Sequence, residues 1–139
     1  MQVKLNDNTE LDCIIAFGRT EYIQGANRSV LELHFSPMEA TFDSLEDVFS
    51  PSNSESIVLT DDENNSYLHE NYVIRDGIAL KNYEVSPPRD GDDGVYEKRY
   101  IVTLAQLTYA EAQIKELQDA DLDNKEAIAS LYEAILGGM

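Results

Sequence analysis

Apolar and polar residues alternate at period two over most of the chain, and this alternation limits the possible folds more than any other feature. Successive side chains of a β-strand point to opposite faces, so the pattern predicts strands with one buried face and one solvated face. Leu31, Leu33 and Phe35 are expected in the core, whereas His34 falls on the wet face. Turn-forming residues separate the short runs, so residues 1–35 are predicted to form an antiparallel meander.

Within that meander, the stretch from Leu11 to Phe17 is predicted to be one strand, followed by a turn at Gly18-Arg19. Its neighbours Ile14 and Ala16 are also apolar, so the middle of this strand is expected to be covered on both faces.

Further strands are predicted downstream, at Ile57–Leu59, Tyr67–Arg75, Ile78–Tyr83 and Val95–Leu104. The first two flank a polar hairpin loop at residues 61–65. Residues 86–94 contain two prolines and two glycines and are expected to be irregular. In the last strand the alternation places Tyr96, Tyr100, Val102 and Leu104 on one face and Glu97, Arg99 and Thr103 on the other.

A short mid-chain helix is predicted from Ser44, which can cap it, with Leu45, Val48 and Phe49 as its inward stripe. Residues 50–53 contain a proline and end it.

The C-terminal part is predicted to be a helical hairpin. Thr108 and Glu111 match a capping box, and the first helix should run to about Gln118. Asp119–Asp123 is predicted to break the helix, and a second helix is expected over Asn124–Leu136, with its apolar face formed by Ile128, Leu131, Tyr132 and Ile135.

These elements define an α+β fold: an antiparallel β-sheet or partly open barrel with a short mid-chain helix and a C-terminal helical hairpin. The length of 139 residues suits a single domain spanning residues 1–139. Within it we expect a β-rich body over residues 1–107 and a helical segment over residues 108–139.

The charge balance is strongly acidic, with a net charge of −17. Such a field repels phosphates and anionic membranes, so direct binding to nucleic acid or to a membrane is not expected. Two interpretations stay open. The acidity gives solubility, or it forms a carboxylate-rich surface that competes with nucleic acid for a basic protein.

Residues that could carry chemistry are few. His34, His69 and Cys13 are the only histidines and the only cysteine, and zinc needs three or four closely spaced nitrogen or sulfur ligands. Cys13 lies in an apolar strand, where a thiol is expected to be buried and unreactive. No nucleophile elbow or phosphate-binding glycine loop occurs. We therefore predict no catalytic, cofactor-binding or metal-binding residues, no cofactor, no small-molecule substrate and no enzymatic activity.

Two acidic segments raise the question of calcium. Asp119, Asp121 and Asp123 match the first ligand positions of a calcium loop, but Asn124 and Ser130 replace the turn glycine and the bidentate glutamate. The acidic loop at residues 90–94 could also hold an ion. The plainer interpretation of both segments is a solvated turn.

Interface residues are a further alternative. Tyr96, Tyr100 and Tyr109 could anchor a partner, although core packing is the ordinary role of such residues. The predicted second C-terminal helix could pack on the sheet or against other copies of the chain.

The order of several segments resembles a group of small uncharacterised proteins encoded in the tail modules of phages and prophages of Gram-positive gut bacteria. The matching segments are the start at residues 1–11, Ser44–Phe49, Ser56–Leu59 with its acidic hairpin, His69–Tyr72 and the alanine- and glutamine-rich helical end. That family has no established active site, so the resemblance transfers no functional residues.

The resemblance implies a non-enzymatic structural or assembly protein of a tail or baseplate, with other tail proteins or further copies of itself as partners. The expected location is the cytoplasm of the bacterial host, with incorporation into the virion left open. The alternative function is an acidic anti-defence inhibitor that mimics nucleic acid through the loops at residues 61–63 and 90–93.

Overall fold

The computed structural model describes residues 1–91 and 93–123, and the chain divides after Gln106 into two units. The strands described in the first unit are β1 (Gln2–Lys4), β2 (Glu10–Asp12), β3 (Ile15–Ile23), β4 (Ala26–Phe35), β5 (Ser56–Thr60), β6 (Ser66–Glu70), β7 (Ile74–Ser86) and β8 (Val95–Ala105). Helix α1 (Phe42–Val48) and a 3₁₀ turn (Asn53–Glu55) lie between β4 and β5. The second unit contains helix α2 (Tyr109–Asp123).

The strands form two antiparallel sheets of four strands each. Sheet A has the order β2-β1-β5-β6, and sheet B has the order β3-β4-β8-β7. The α+β class is therefore confirmed. The body is built from two sheets, however, and not from the single sheet or partly open barrel that the sequence predicts.

The chain passes from sheet A to sheet B between two adjacent residues. The amide of Cys13 donates to the Met1 carbonyl in sheet A at 2.9 Å, and the amide of Ile14 donates to the His34 carbonyl in sheet B at 2.7 Å. The predicted strand over 11–17 is thus split. The predicted meander over residues 1–35 is wrong, because its first hairpin belongs to one sheet and its second to the other.

The turn predicted at Gly18-Arg19 is also absent from that position. Gly18-Arg19 lies inside β3, and the chain reverses instead at Gln24-Gly25, where both residues have positive φ, 48° and 80°. Consecutive positive φ values are typical of the tight turns that match the twist of a hairpin.

The predicted strand over residues 67–75 is likewise divided into β6 in sheet A and β7 in sheet B. Between them Asn71 takes a left-handed conformation, with φ 63°, and its amide donates to the Glu55 carbonyl at 2.9 Å. Asn tolerates this conformation better than most residues, so it can end one strand and redirect the chain.

Both sheets and α1 contribute to one hydrophobic core. Its members include Val3, Leu5, Ile57 and Leu59 from the sheet A side, Leu31, Leu33, Phe35, Val102 and Leu104 from sheet B, and Leu45 and Phe49 from α1 and its C-cap. The inward stripe predicted for the mid-chain helix is confirmed, because Leu45 and Phe49 are buried and Val48 packs against the core. Val102 and Leu104, predicted on one face of the last strand, are both buried.

Helix α1 begins earlier than the sequence predicts. Thr41 is the N-cap, and its side chain accepts from the Ser44 amide while the Ser44 hydroxyl accepts from the Thr41 amide. Ser44 is therefore the third helical residue of a reciprocal capping box and not the cap itself. At the other end, the Asn53 side-chain amide donates to the Val48 carbonyl at 2.7 Å.

Helix α2 begins with the predicted capping box. The Thr108 amide donates to the Glu111 carboxylate at 2.8 Å, and the Glu111 amide donates to the Thr108 hydroxyl at 3.2 Å. The predicted break over 119–123 is wrong, because the helix continues through Asp123. This stretch contains neither glycine nor proline, so nothing in its backbone chemistry requires a stop. The predicted helix over 124–136 lies outside the described residues.

None of the described helices has the length and apolar composition that a membrane crossing requires.

Sheet B has a two-stranded extension. The β7–β8 ladder runs from Ile74↔Ala105 to Ser86↔Val95, whereas β4 pairs with β8 only as far as Tyr100. Residues 81–86 and 95–99 therefore form a hairpin that projects beyond the other strands of the sheet. We call these residues the arm.

Candidate functional site

The root of the arm carries a polar cluster whose hydrogen bonds join β3, β4 and β8. Residues of β4 alternate between two faces, and the core takes Leu31, Leu33 and Phe35. Glu32 and His34 therefore point to the opposite face of sheet B, which we call the outer face. On this face their cross-strand partners are Phe17 in β3 and Ile101 in β8.

His34 is completely buried, although the alternation places it on a wet face. The rings of Phe17 and Tyr83 contact it edge-on, with centroids 5.3 and 4.9 Å away. The sequence prediction of an exposed His34 is wrong, because aromatic side chains from β3 and from β7 cover the outer face here.

The hydrogen bonds of His34 fix its tautomer. Its Nδ1 lies 3.3 Å from Nη1 of Arg99, and its Nε2 lies 2.7 Å from a carboxylate oxygen of Glu32. A guanidinium only donates, so Nδ1 must accept. The proton of the neutral ring is then on Nε2, which donates to Glu32.

Arg99 is also buried, with 7% of its surface exposed, although it lies on the face of β8 opposite the core residues Val102 and Leu104. Its guanidinium carbon lies 4.4 Å from the centre of the Tyr83 ring, within the range of a cation–π contact. Its Nε and Nη2 donate to one oxygen of Glu97 at 3.1 and 3.0 Å. Arg99 thus ties both strands of the arm to the buried histidine of β4.

Glu32 extends the cluster across the sheet to β3. Its second oxygen accepts from Arg19 at 2.8 Å, and Arg19 also donates to Glu21 at 2.7 Å. Burial, the largest single effect, raises the pKa of Glu32, but hydrogen bonds from His34 and Arg19 outweigh it. The pKa of Glu32 is therefore lowered from its ordinary value.

This lowered pKa predicts a pH effect on stability. A carboxylate with a depressed folded-state pKa contributes stability that is complete above its unfolded pKa, about 4.3, and is lost as pH falls through the folded value. We expect the free energy of unfolding to fall more steeply below about pH 5 in the native chain than in Glu32→Gln. Urea denaturation at a series of pH values measures both slopes. Equal slopes would contradict the expectation.

Chemically, the cluster is saturated. Both ring nitrogens of His34 are engaged by protein groups, and the ring has no exposed surface. Such a histidine can neither exchange protons with a substrate nor bind a metal without first losing its partners. What the arrangement can do is hold the arm in a fixed position on the sheet.

The candidate metal ligands of the sequence are not brought together. His69 lies in β6 against the Tyr72 ring, with centroids 5.6 Å apart, while His34 lies on the outer face of sheet B. Among residues 1–91 and 93–123, no group of three or more His, Cys, Asp and Glu side chains is placed to hold a metal ion.

Cys13 is buried, as the sequence predicts, and burial raises the pKa of its thiol to about 11. The reactive thiolate is therefore scarce near neutral pH. We expect Cys13 to react slowly with a colorimetric thiol reagent at pH 8 in the native chain and rapidly in urea. An added surface cysteine, Ser66→Cys, is the control. Equal reactivity of both thiols in the folded protein would contradict a buried Cys13.

Of the two acidic segments, residues 119–123 do not form a calcium loop, and Asp92 of residues 90–94 lies outside the described residues. Asp119, Asp121 and Asp123 belong to the continuous helix α2, whose backbone cannot adopt the tight loop that calcium requires. Asp90 and Asp93 lie in the loop between β7 and β8. A cleft of about 240 Å³ there also contains Arg89, a cation that disfavours a second cation.

One further polar cleft, also of about 240 Å³, lies where the β1–β2 turn meets the end of α1. It is lined by Asn6, Asp7, Asp47, Ser50, Ser52 and Asn53. Its central group, Asn53, is already occupied, because its side-chain oxygen accepts from the Asp7 amide at 2.8 Å. The cleft therefore joins two turns and offers no free reactive group at its centre.

Comparisons of the chain with protein-family models, with curated proteins and with solved structures gave no match.

Proposed function

We propose that this chain is a non-enzymatic structural or assembly protein of a phage or prophage tail or baseplate, acting through protein–protein contacts. The observation that carries the binding role is the arm, a projecting two-stranded hairpin whose root is fixed by buried polar contacts. The tail context is what the family resemblance implies.

The exposed side chains of the arm support a contact role. Val85, Val95 and Tyr96 are each more than half exposed although they are large and apolar. A free two-stranded hairpin is at best marginally stable in water. The His34–Arg99 contacts hold this one to the sheet, so it can present these side chains to a partner without first paying the full cost of ordering.

Quantitative mass spectrometry of purified particles, induced from the source strain, tests the tail role. We expect the protein at a fixed copy number relative to known tail proteins. Its presence only in the lysate would remove the virion role. Deletion of its gene would then test assembly: particles of normal number and tail length would overturn the proposal.

The acidic inhibitor is a second candidate, favoured by the loop between β5 and β6. The Asp61 carboxylate accepts from the amides of Glu63 and Asn65, both at 2.9 Å, and so orders the loop. The neighbouring Asp62 side chain is 98% exposed. A fixed turn that displays carboxylates suits a nucleic-acid mimic.

Salt-dependent binding to a basic nuclease tests this candidate. Charge reversal at Asp62 and Glu63 should abolish binding to the nuclease. Charge reversal at Glu39 and Asp47 is the control: both residues are exposed, the net charge changes equally, and binding should weaken far less. Equal effects of the two double variants would show that this loop is not the mimic surface.

A further inference from the structure

Helix α2 carries an exposed apolar stripe. Ile114 and Leu117 are 55% and 53% exposed, and Ala110, one turn earlier, is exposed as well. These residues are three or four positions apart, so they lie on one face of the helix. Ala112 and Lys115, on the opposite side, are partly buried. The helix therefore exposes to solvent the kind of face that a surface helix ordinarily buries.

The stripe continues in the sequence at a heptad spacing. In a continuous helix, the face of Ile114 and Leu117 next receives residues 121, 124, 128, 131 and 135, at intervals that alternate between three and four residues. Helix α2 runs through Asp123, and residues 124–136 contain neither glycine nor proline. An average interval of 3.5 residues keeps one seam of two supercoiled helices in contact over its whole length.

The residue types of the stripe favour a dimer of parallel helices. With residue 114 as heptad position a and residue 117 as position d, the large apolar residues at a are isoleucines and those at d are leucines: Ile114, Leu117, Ile128, Leu131 and Ile135. β-Branched residues at a combined with leucine at d are the combination that favours two parallel strands.

Two polar residues interrupt the seam near its middle, Asp121 at position a and Asn124 at position d. A polar residue inside a coiled-coil seam costs stability but fixes the register of the two helices. Lys125 follows Asp121 at a spacing of four residues, which suits an ion pair along one helix and offsets part of the cost.

The positions that flank the seam add no repulsion between two copies, in spite of the net charge of −17. In a parallel dimer each g residue faces the e residue of the next heptad of the partner helix. These facing pairs are Gln113 with Gln118, Ala120 with Lys125, and Ala127 with Tyr132. The acidic residues 116, 119, 123, 126 and 133 all fall at the outer positions c and f.

We propose that residues 110–135 of two copies of this chain form a parallel two-stranded coiled coil. A second copy is the occupant of the stripe because the seam is complementary to itself: each a or d residue meets its own equivalent. The inference rests on the proposed function in one respect, since it names a self-contact of a protein that acts through protein–protein contacts. A chain that dimerises but stays out of particles would contradict the tail role alone.

Sedimentation equilibrium of the full chain over a concentration series tests the dimer. We expect the native chain to dimerise. Leu117→Glu should raise the dimer dissociation constant at least ~100-fold, because each dimer loses two buried leucines. Asp121→Asn, which removes two facing carboxylates from the seam, should lower it about tenfold. Tyr109→Glu is the control: Tyr109 is 82% exposed at the outer position c, the net charge changes as in Leu117→Glu, and the dissociation constant should stay unchanged.

Disulfide cross-linking of Ala110→Cys tests the orientation. In a parallel dimer the two residues at position 110 face each other, whereas an antiparallel pairing separates them by roughly 35 Å. With oxidised glutathione as the oxidant, we expect a covalent dimer of Ala110→Cys. Glu116→Cys, at the outer position c, should be linked far less, and the native Cys13 is buried.

Circular dichroism and thermal midpoints close to native would establish that the variants are folded. A monomeric native chain would mean that the stripe is covered within one molecule, and it would overturn the proposal. Dimers of native affinity in Leu117→Glu, a dissociation constant that Asp121→Asn leaves unchanged, or equal cross-linking at positions 110 and 116 would each overturn it as well.

Discussion

Phe49→Ala is expected to lower the free energy of unfolding by about 3–5 kcal/mol, since truncating a buried Phe removes its transfer energy and leaves a cavity. Phe49 is only 1% exposed, and its ring lies 5.7 Å from that of Phe35, another fully buried core residue. It also caps the C-terminus of α1, where its amide donates to the Leu45 carbonyl. The side chain therefore packs the end of the helix against Phe35 of sheet B.

Urea denaturation measures this loss, and the same helix supplies the control. Phe42 is the same residue type at the other end of α1, but it is 43% exposed. Phe42→Ala should cost less than about 1 kcal/mol, because surface positions away from caps and cavities change stability little. Similar losses in the two variants would mean that α1 is not packed into the core through Phe49.

Arg99→Leu is expected to destabilise the protein by about 2–3 kcal/mol, because a buried acceptor is left without its donor and a cation–π contact is lost. The unpaired acceptor is Nδ1 of His34, which has no exposed surface and no access to replacement water. The damage should be greatest in the arm, whose two strands Arg99 connects through Tyr83 and Glu97.

Hydrogen exchange locates that damage, and urea denaturation gives its size. The amides of residues 81–86 and 95–99 should lose protection in Arg99→Leu, while those of β1 and β5 in sheet A should lose less. Lys98→Leu is the matched control, one residue away on the same strand but exposed, and it should change stability by no more than about 0.5 kcal/mol. If both variants exchange alike, Arg99 does not anchor the arm.

The faces of the last strand were predictable from the sequence, but burial on those faces was not. Arg99 and Glu97 do lie opposite Val102 and Leu104, as the alternation predicts. Arg99 is nevertheless buried, because Tyr83 from the paired strand covers it, and no local pattern encodes that covering. Tyr96 lies on the same side as Val102 and Leu104, as predicted, but it is exposed, because the arm extends beyond the other strands of the sheet.

The change of sheet after Cys13 was harder to predict than the strands themselves. Period-two alternation continues from Leu11 through Phe17, so it predicts extended backbone on both sides of the junction between Cys13 and Ile14. The alternation does not indicate where the chain changes from one pairing strand to another. The apolar residues Ile14 and Ala16 were the available signal. Ala16 does pack against the core, but Ile14 is 38% exposed, so the expected cover on both faces is not found at Ile14. Neither residue indicates that two different sheets are involved.

The polar cluster was missed for a related reason. His34 and Glu32 are two residues apart, a spacing that any wet strand face shows, and their partner Arg99 is 65 positions from His34. Such separation is set by strand pairing in the folded sheet, which single-sequence patterns do not contain. Phe17 was the useful hint, since an aromatic residue on a predicted strand next to the histidine strand could have suggested a cover.

The junction at Cys13 and Ile14 has a consequence for how the body loses its structure. The Cys13 amide is hydrogen-bonded to Met1 beside β1, and the next amide, that of Ile14, is hydrogen-bonded to His34 in β4. A fluctuation that moves β1 away from Cys13 therefore also strains the hydrogen bond between Ile14 and His34. Loss of either sheet disturbs the junction that the other sheet shares. We therefore expect sheets A and B to melt as one cooperative unit, with the arm as the part that can open ahead of them.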